Sequence, residues 1–468
     1  MSGDEFGPLA AEELLGASRR LLDAVAAAGG DAADVQAVST SVRATQVFAD
    51  GTHTGRDGVT TVTGLRVRAG GGVAGMLLGA PPGDPAPVAR LAVELARRSR
   101  LAADPRDLPP LTTQASGTEP SASPAGHPHA VVAHAGAGPA DAVIHPVPAE
   151  PDVPFEYCRE LLSRLLTPVE GPVALGAEHV RSQSWTVVAD TAGTAVAYEQ
   201  AGHHAWHWLE GLGGHMVDGL AATRFGELSW DALAARAHEF RAVHLAGPRA
   251  VVESGPRPVL LHPEVAAHLV RSLGFLLSAG NVLAGMRPLL SRVGKRIAAP
   301  AVTLVDDPPA PVDAQATPTR RQTLLEAGVL RGFLTSRDNA AVLGVPPSGS
   351  ARREAPDKPA VESPSRIRLT PGTRSVDALR SGMDDGIEAV GVVHPGAIRG
   401  GRGTFTTVVL GWKIRGGRRV HALGPVRISL GVFELLRSIE AVGDDPARSF
   451  LAAGAESPSV LVSRMDVG

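Results

Sequence analysis

The sequence predicts an α+β protein, with a mixed α/β domain at the N-terminus and a mainly β domain at the C-terminus. Three observations carry this reading. Helix-spaced and alternating apolar residues take turns over the first hundred positions. From Gly255 onward, short apolar runs sit between Gly and Pro turn signals. Between them lies a stretch rich in Pro, Ser, Thr and Gly (LPPLTTQASGTEPSASPAGHPHA), with too little apolar surface to offset its ordering entropy. The expected organisation is 1–105 as the first part of the N-terminal domain, 106–150 as a flexible linker, 151–250 as its second part and 251–468 as the C-terminal domain.

The elements follow in order. Residues 9–28 place Leu14, Leu15, Leu21, Leu22 and Val25 at helical spacing, and Gly29-Gly30 ends the helix. VQAVSTSVRATQVFADG alternates like a strand and closes on Asp50-Gly51, a hairpin signal, and TTVTGLRVRAGGGVAGMLLG continues with further strands. Val88–Leu101 reads as a second helix with Arg97, Arg98 and Arg100 outward. Phe155–Leu166 is helical, VRSQSWTVVADTAGTAVAYEQ is a hairpin turning at Thr191–Gly193, and Trp230–Ala246 is another helix. A long helical stretch spans 263–279, and turns are expected at Asp306-Asp307, Gly328, Gly372, Gly386, Gly400-Gly401 and Gly416-Gly417.

Composition excludes several classes. The chain has 468 residues, a net charge of −3 and one cysteine, Cys158. A near-neutral balance argues against nucleic acid as a partner, because phosphate binding needs a basic face. A single cysteine excludes a disulfide framework, a Cys-rich zinc module and an iron–sulfur cluster. The opening MSGDEFGPLAAEEL is acidic, unlike a signal peptide, and Arg271 interrupts the apolar run Leu269–Met286. The expectation is a soluble, cytoplasmic protein without a membrane span.

Several pieces carry a resemblance. GPRPVLLHPEVAAHLVRSLGFLLSAGNVLAGMRPLLSRVGKRIAAPAVTLVDDP is followed by TPTRRQTLLEAGVLRGFLTSRDNAAVLG, SGSARR, DDGIEAVGVVHPGAI, GGRGTFTTVVLGWKIRGGRRV and ISLGVFELLRSIEAVGDDP. In this order and spacing they resemble the TldD/PmbA family, bacterial modulators of DNA gyrase whose two subunits together form a zinc metalloprotease. The resemblance implies a mixed α/β domain followed by a mainly β, barrel-like one. It also implies a division of labour. TldD-type chains carry HExxxH and a late cysteine as metal ligands, with the glutamate as general base; TldE-type chains lack them.

In that register, Glu264 and His268 fall on the glutamate and second histidine of HExxxH, while Pro263 falls on the first histidine. Proline offers no lone pair, and AGAESPSVLVSRMDVG at the end holds no cysteine. A catalytic zinc site usually has three protein ligands, so too few remain. His262 lies one residue from the lost ligand, but on an ideal helix it would stand about 120° around from His268. A metal site using His262 and His268 is one alternative. The other is a capped helix start, with Pro263 in the first turn and Glu264 favourable at the positive end of the dipole.

Other candidates are open to two readings each. In GHHAWHW, His203 and His207 have ligand spacing on a helix, whereas on a strand they share a face but stand farther apart. Asp306-Asp307 and Arg320-Arg321 read as a cleft lining or as turn chemistry. Arg352 and Arg353 of SGSARR, with Arg320, are candidates for binding a substrate carboxylate, or are surface charge. Cys158, in a helical pattern, reads as a buried structural thiol rather than a nucleophile.

The expected function is therefore that of a TldE/PmbA-like subunit with no cofactor of its own. It would complete the substrate chamber of a TldD-like partner that holds zinc and hydrolyses peptide or amide bonds. The alternatives are a pathway-specific TldE-like partner in peptide or specialised-metabolite maturation, a self-sufficient metallohydrolase with a non-standard site among His203, His207, His262 and His268, and a non-enzymatic binding protein.

Overall fold

A computed structural model describes residues 9–99, 143–147, 153–166, 174–211, 214–246, 249–399 and 403–468. A seven-stranded sheet forms the N-terminal half. Its strands are β1 (Ala32–Phe48), β2 (His53–Ala69), β3 (Gly72–Leu78), β4 (Val143–His145), β5 (Ala174–Asp190), β6 (Ala195–Gly211) and β7 (Gly214–Ala222). They run in the order β3-β2-β1-β5-β6-β4, with β7 also on β6. The two expected hairpins are present: β1 pairs antiparallel with β2 from Val47↔His53, and β5 with β6 from Ala189↔Ala195. The turn glycines Gly51 and Gly193 have φ of +84° and +96°, which residues with a Cβ rarely adopt.

Helices α1 (Ala11–Ala27) and α2 (Ala86–Arg98) cover this sheet. Leu14, Leu21 and Val25 of α1 and Val93 of α2 pack onto Val35, Leu65 and Val67. Helix α3 (Phe155–Ser163) and helix α4 (Trp230–Leu245) build a second core around Leu162, Leu165 and Leu233.

In the C-terminal half, β8 (Gly255–Leu261) pairs parallel with 385–399, which pairs antiparallel with 404–415, and that with 418–431. Strand 460–467 joins 418–431 on one side and β8 on the other, closing a five-stranded barrel. Helix α5 (Pro263–Leu276) follows β8 directly, and ten of its fourteen residues are buried, the polar Glu264 and His268 among them. Phe405 lies at the centre of this core.

Three expectations need correction. Within 106–150, Val143–His145 is a strand, because its backbone finds partners on β6 (Val143↔Val196); residues 106–142 and 148–150 lie outside the described residues. The helix expected at 263–279 ends at Leu276, and a new one begins at Ala279, where the Ser278 hydroxyl accepts the Asn281 N–H. Gly386 sits in strand 385–399, not in a turn; a Cβ there would stand 2.7 Å from the Pro258 carbonyl oxygen of β8. The Gly400-Gly401 turn lies outside the described residues, whereas Gly328, Gly416 and Gly417 have the positive φ of turn glycines. Among the described residues no helix is long and apolar enough to cross a membrane.

Candidate functional site

The start of α5 is where the sequence places its strongest candidates. His262 is the N-cap, with extended backbone, and Pro263 occupies the first helical turn, where its missing N–H costs little. Glu264 and His268 then share one face, one turn apart. Both are buried, each 4% exposed.

Glu264 is held from several sides. The Ser449 hydroxyl donates to its Oε1 at 2.5 Å, the Phe450 N–H to Oε2 at 3.3 Å and the Leu451 N–H to Oε1 at 3.3 Å. The Arg236 guanidinium of α4 stands 3.5 Å from Oε2. The same guanidinium pairs with Asp218 of β7, through Nε at 3.1 Å and through Nη2. His207 of β6 lies 3.6 Å behind Asp218. Burial pushes the Glu264 carboxyl up, with Asp218 adding repulsion and Arg236 opposing both. Burial also works against Asp218, but Arg236 and His207 outweigh it and hold Asp218 well below the usual carboxylate range.

His268 Nε2 is 3.9 Å from Glu264 Oε1 and makes no hydrogen bond. Burial, with Arg271 nearby, lowers its pKa to about 4, so at neutral pH it is an uncharged imidazole.

These residues do not fit a zinc ion. Pro263 supplies no donor. Glu264 is committed to three N–H or O–H donors and a guanidinium. Most directly, Arg236 places a permanent cation against the carboxylate that a metal would share, in a buried setting where like charges repel strongly. Arg236 is held protonated by Asp218 and Glu264 despite its burial.

On the other side of the same helix start, His262 turns away from His268. Its Nε2 lies 2.8 Å from Glu388 Oε1 and its Nδ1 3.6 Å from Glu239 Oε2. Among the described residues these three are one group whose ligand atoms converge, within 4.8 Å of one another. Two arginines already fill it. Arg380 donates to both oxygens of Glu388 (2.8 and 2.7 Å), and so does Arg419 (2.7 and 2.8 Å). Arg419 also reaches Glu239 and lies 5.7 Å over the Trp412 ring. Two guanidinium charges balance two carboxylates, so a divalent ion would leave uncompensated positive charge in the interior. Burial disfavours the Glu388 anion, but Arg419, His262 and Arg380 overcome that and hold it far below the usual range.

The remaining candidates fall elsewhere. His203 and His207 are on a strand, so they share a face about 13 Å apart and do not converge. His203 instead closes a buried chain: Cys158 Sγ is 3.5 Å from His179 Nδ1, and His179 Nε2 is 3.0 Å from His203 Nδ1. Burial raises the Cys158 thiol to about 11 and lowers His179 to about 3, so at neutral pH neither is charged. Arg353 pairs with Asp34 of β1 at 2.7 Å, and Arg352 donates to the Ala351 carbonyl at 2.9 Å. Arg320 is exposed. Asp306 Oδ1 accepts the N–H groups of Ser365 and Arg366, each at 2.9 Å, and Asp307 pairs with Arg366 at 3.0 Å.

Sequence reasoning missed Arg236, Asp218, Ser449, Glu239, Glu388, Arg380 and Arg419. One had a signal: in DGIEAVGVV, a carboxylate inside an apolar strand demands a partner. Arg236 and Asp218 had none, because only folding brings β7 and α4 to α5.

Comparison with known proteins bears on this geometry. Residues 254–468 match the model of the PmbA/TldA metallopeptidase C-terminal domain. A metalloprotease of Methanothermobacter thermautotrophicus is 31% identical over 200 residues, 41% of this chain and 44% of that protein. A metalloprotease TldD homolog of Buchnera aphidicola is 26% identical over 206 residues, 41% of each. The match thus spans less than half the length of these relatives. Two solved structures share the fold over 97% of this chain. TldE of Thermococcus kodakarensis does so with a TM-score of 0.70, 16% identity and 100% of its own length. A Thermotoga maritima protein described as a candidate modulator of a DNA gyrase does so with a TM-score of 0.70, 19% identity and 99% of its length.

Proposed function

We propose, from the premise that residues 254–468 belong to the PmbA/TldA metallopeptidase C-terminal domain family, that this chain is the non-catalytic, TldE-like subunit of a two-chain metallopeptidase. A TldD-like partner would supply zinc and cleave peptide or amide bonds, while this chain completes the substrate chamber in the cytoplasm. The observation that carries the reading is the Arg236 guanidinium at 3.5 Å from Glu264, set where the family's metal charge would be needed. Loss of the first histidine position to Pro263 points the same way.

Co-expression with a TldD-like chain tests it. The pair is expected to cleave peptides, and His268→Ala in this chain is expected to leave that rate within about twofold, since a residue without a transition-state role contributes little to kcat/KM. A drop to background on that substitution, with the pair still assembled, would overturn the proposal.

A further inference from the structure

Arg287, Arg292, Lys295 and Arg296 fall within ten residues that hold no acidic side chain. All four are exposed, as are nine of the ten residues. None of the four has an ion-pair partner among the described residues; Arg287 Nε donates to the Leu283 carbonyl at 3.1 Å. Glu326, on the hairpin beside this segment, is already paired with Arg331 at 2.7 Å. The positive charge therefore faces solvent without local compensation.

The backbone holds this display in place. Arg287–Arg292 is a 3-10 helix, and with three residues per turn, positions three apart share a side. Leu289 lies on the inward side, in the core. Arg287 and Leu290 lie together on another side, where Leu290 is 36% exposed, and Val293 follows at 45%. Beyond it the Gly294 N–H donates to the Leu330 carbonyl at 2.8 Å and the Leu330 N–H to the Lys295 carbonyl at 3.0 Å. The result is an exposed ridge, with two apolar side chains interleaved among four cations.

That arrangement matches an anionic lipid surface. Apolar side chains on the ridge enter the boundary between headgroups and acyl chains, while the Lys and Arg beside them meet lipid phosphates. A peptide partner would instead be held in a groove or on an open strand edge. The whole chain carries −3, so an anionic surface repels it on average, and only a concentrated patch overcomes that.

We propose that residues 287–296 dock this chain on an anionic membrane surface, with Leu290 and Val293 entering the interface and Arg287, Arg292, Lys295 and Arg296 on the headgroups. This docking does not rest on the metallopeptidase reading and holds or fails independently of it.

Flotation of the full chain with lipid vesicles tests it. At low salt the wild type is expected to float with vesicles of equal parts phosphatidylglycerol and phosphatidylcholine, but not with pure phosphatidylcholine. Added salt should release it by screening the attraction. The double variant R292E/K295E is expected to bind about tenfold more weakly or worse, since each cation near such a surface contributes several-fold. L290S/V293S keeps every charge and is expected to weaken binding several-fold through lost apolar contact. Arg90→Glu, exposed on α2 in the other half, is expected to bind like the wild type. All five positions are exposed, so the variants should keep the wild-type thermal midpoint, measured alongside. A wild type that does not float with the anionic vesicles, its ridge reserved for an acidic protein, would overturn the proposal. So would either double variant binding as tightly as the wild type, or Arg90→Glu weakening binding as much as R292E/K295E.

Discussion

Glu388→Ala is expected to destabilise the protein by about 3–5 kcal/mol, the range for removing one partner of a buried ion pair. Glu388 is fully buried. Its two oxygens accept from Arg380, Arg419 and His262, and no other carboxylate could take over all three. Removing it leaves two guanidinium groups facing each other with only Glu239 and Asp377 nearby. The effect also spreads in space, because the knot ties α4, the start of α5 and two barrel strands together. Asp377→Ala is the matching control. Asp377 pairs with the same Arg380, but its side chain is 80% exposed. Surface pairs contribute about 0–1 kcal/mol, so its loss is expected to be small. Urea unfolding of both variants checks the contrast. Equal midpoints for the two would contradict the description of the knot.

Stability is expected to fall as pH drops from about 6.5 toward 4, ordinary histidine protonation being near 6.5. Three buried imidazoles stay neutral in the fold: His179 is lowered to about 3, and His244 and His268 to about 4, in each case chiefly by burial. In the unfolded chain they protonate normally. Between those limits the unfolded state binds up to three more protons, so their stabilising contribution is complete above the unfolded value and is lost as pH falls through the window. The limiting slope is about 4 kcal/mol per pH unit. Buried carboxyls raised by desolvation, such as Glu178 and Asp190, act in the opposite sense and reduce it. A variant isolates one histidine. His244 donates through Nδ1 to the Phe240 carbonyl at 2.7 Å while its Nε2 has no partner. His244→Gln removes one titrating group, and the slope should shrink by about 1.4 kcal/mol per pH unit. Unfolding midpoints at several pH values measure this, and an unchanged slope would contradict it.

Much of the fold is legible in the sequence, for local reasons. The hairpins at Asp50-Gly51 and Thr191–Gly193, the helix at Trp230 and the helix beginning at Pro263 each announce themselves by periodicity or turn chemistry. The split into an α/β half and a mainly β half follows from the change of period. The barrel closure is not local. It depends on strand 460–467 meeting both β8 and 418–431, pairings between residues some 200 positions apart in sequence for β8. At the site, Pro263 next to His262 and the absence of any cysteine after Cys158 can be read from the chain. The Arg236 guanidinium beside Glu264 cannot, because Arg236 reaches Glu264 only when α4 packs beside α5. His203 and His207 show the reverse case: their spacing suits a helix, and the strand they occupy carries them apart.

Zinc binding by the purified single chain tests the central claim most directly. Equilibrium dialysis against zinc at neutral pH, with metal then counted per chain, is expected to give substoichiometric zinc at background level, unchanged in His262→Ala and His268→Ala. One tightly held zinc per chain, released by either substitution, would contradict the account.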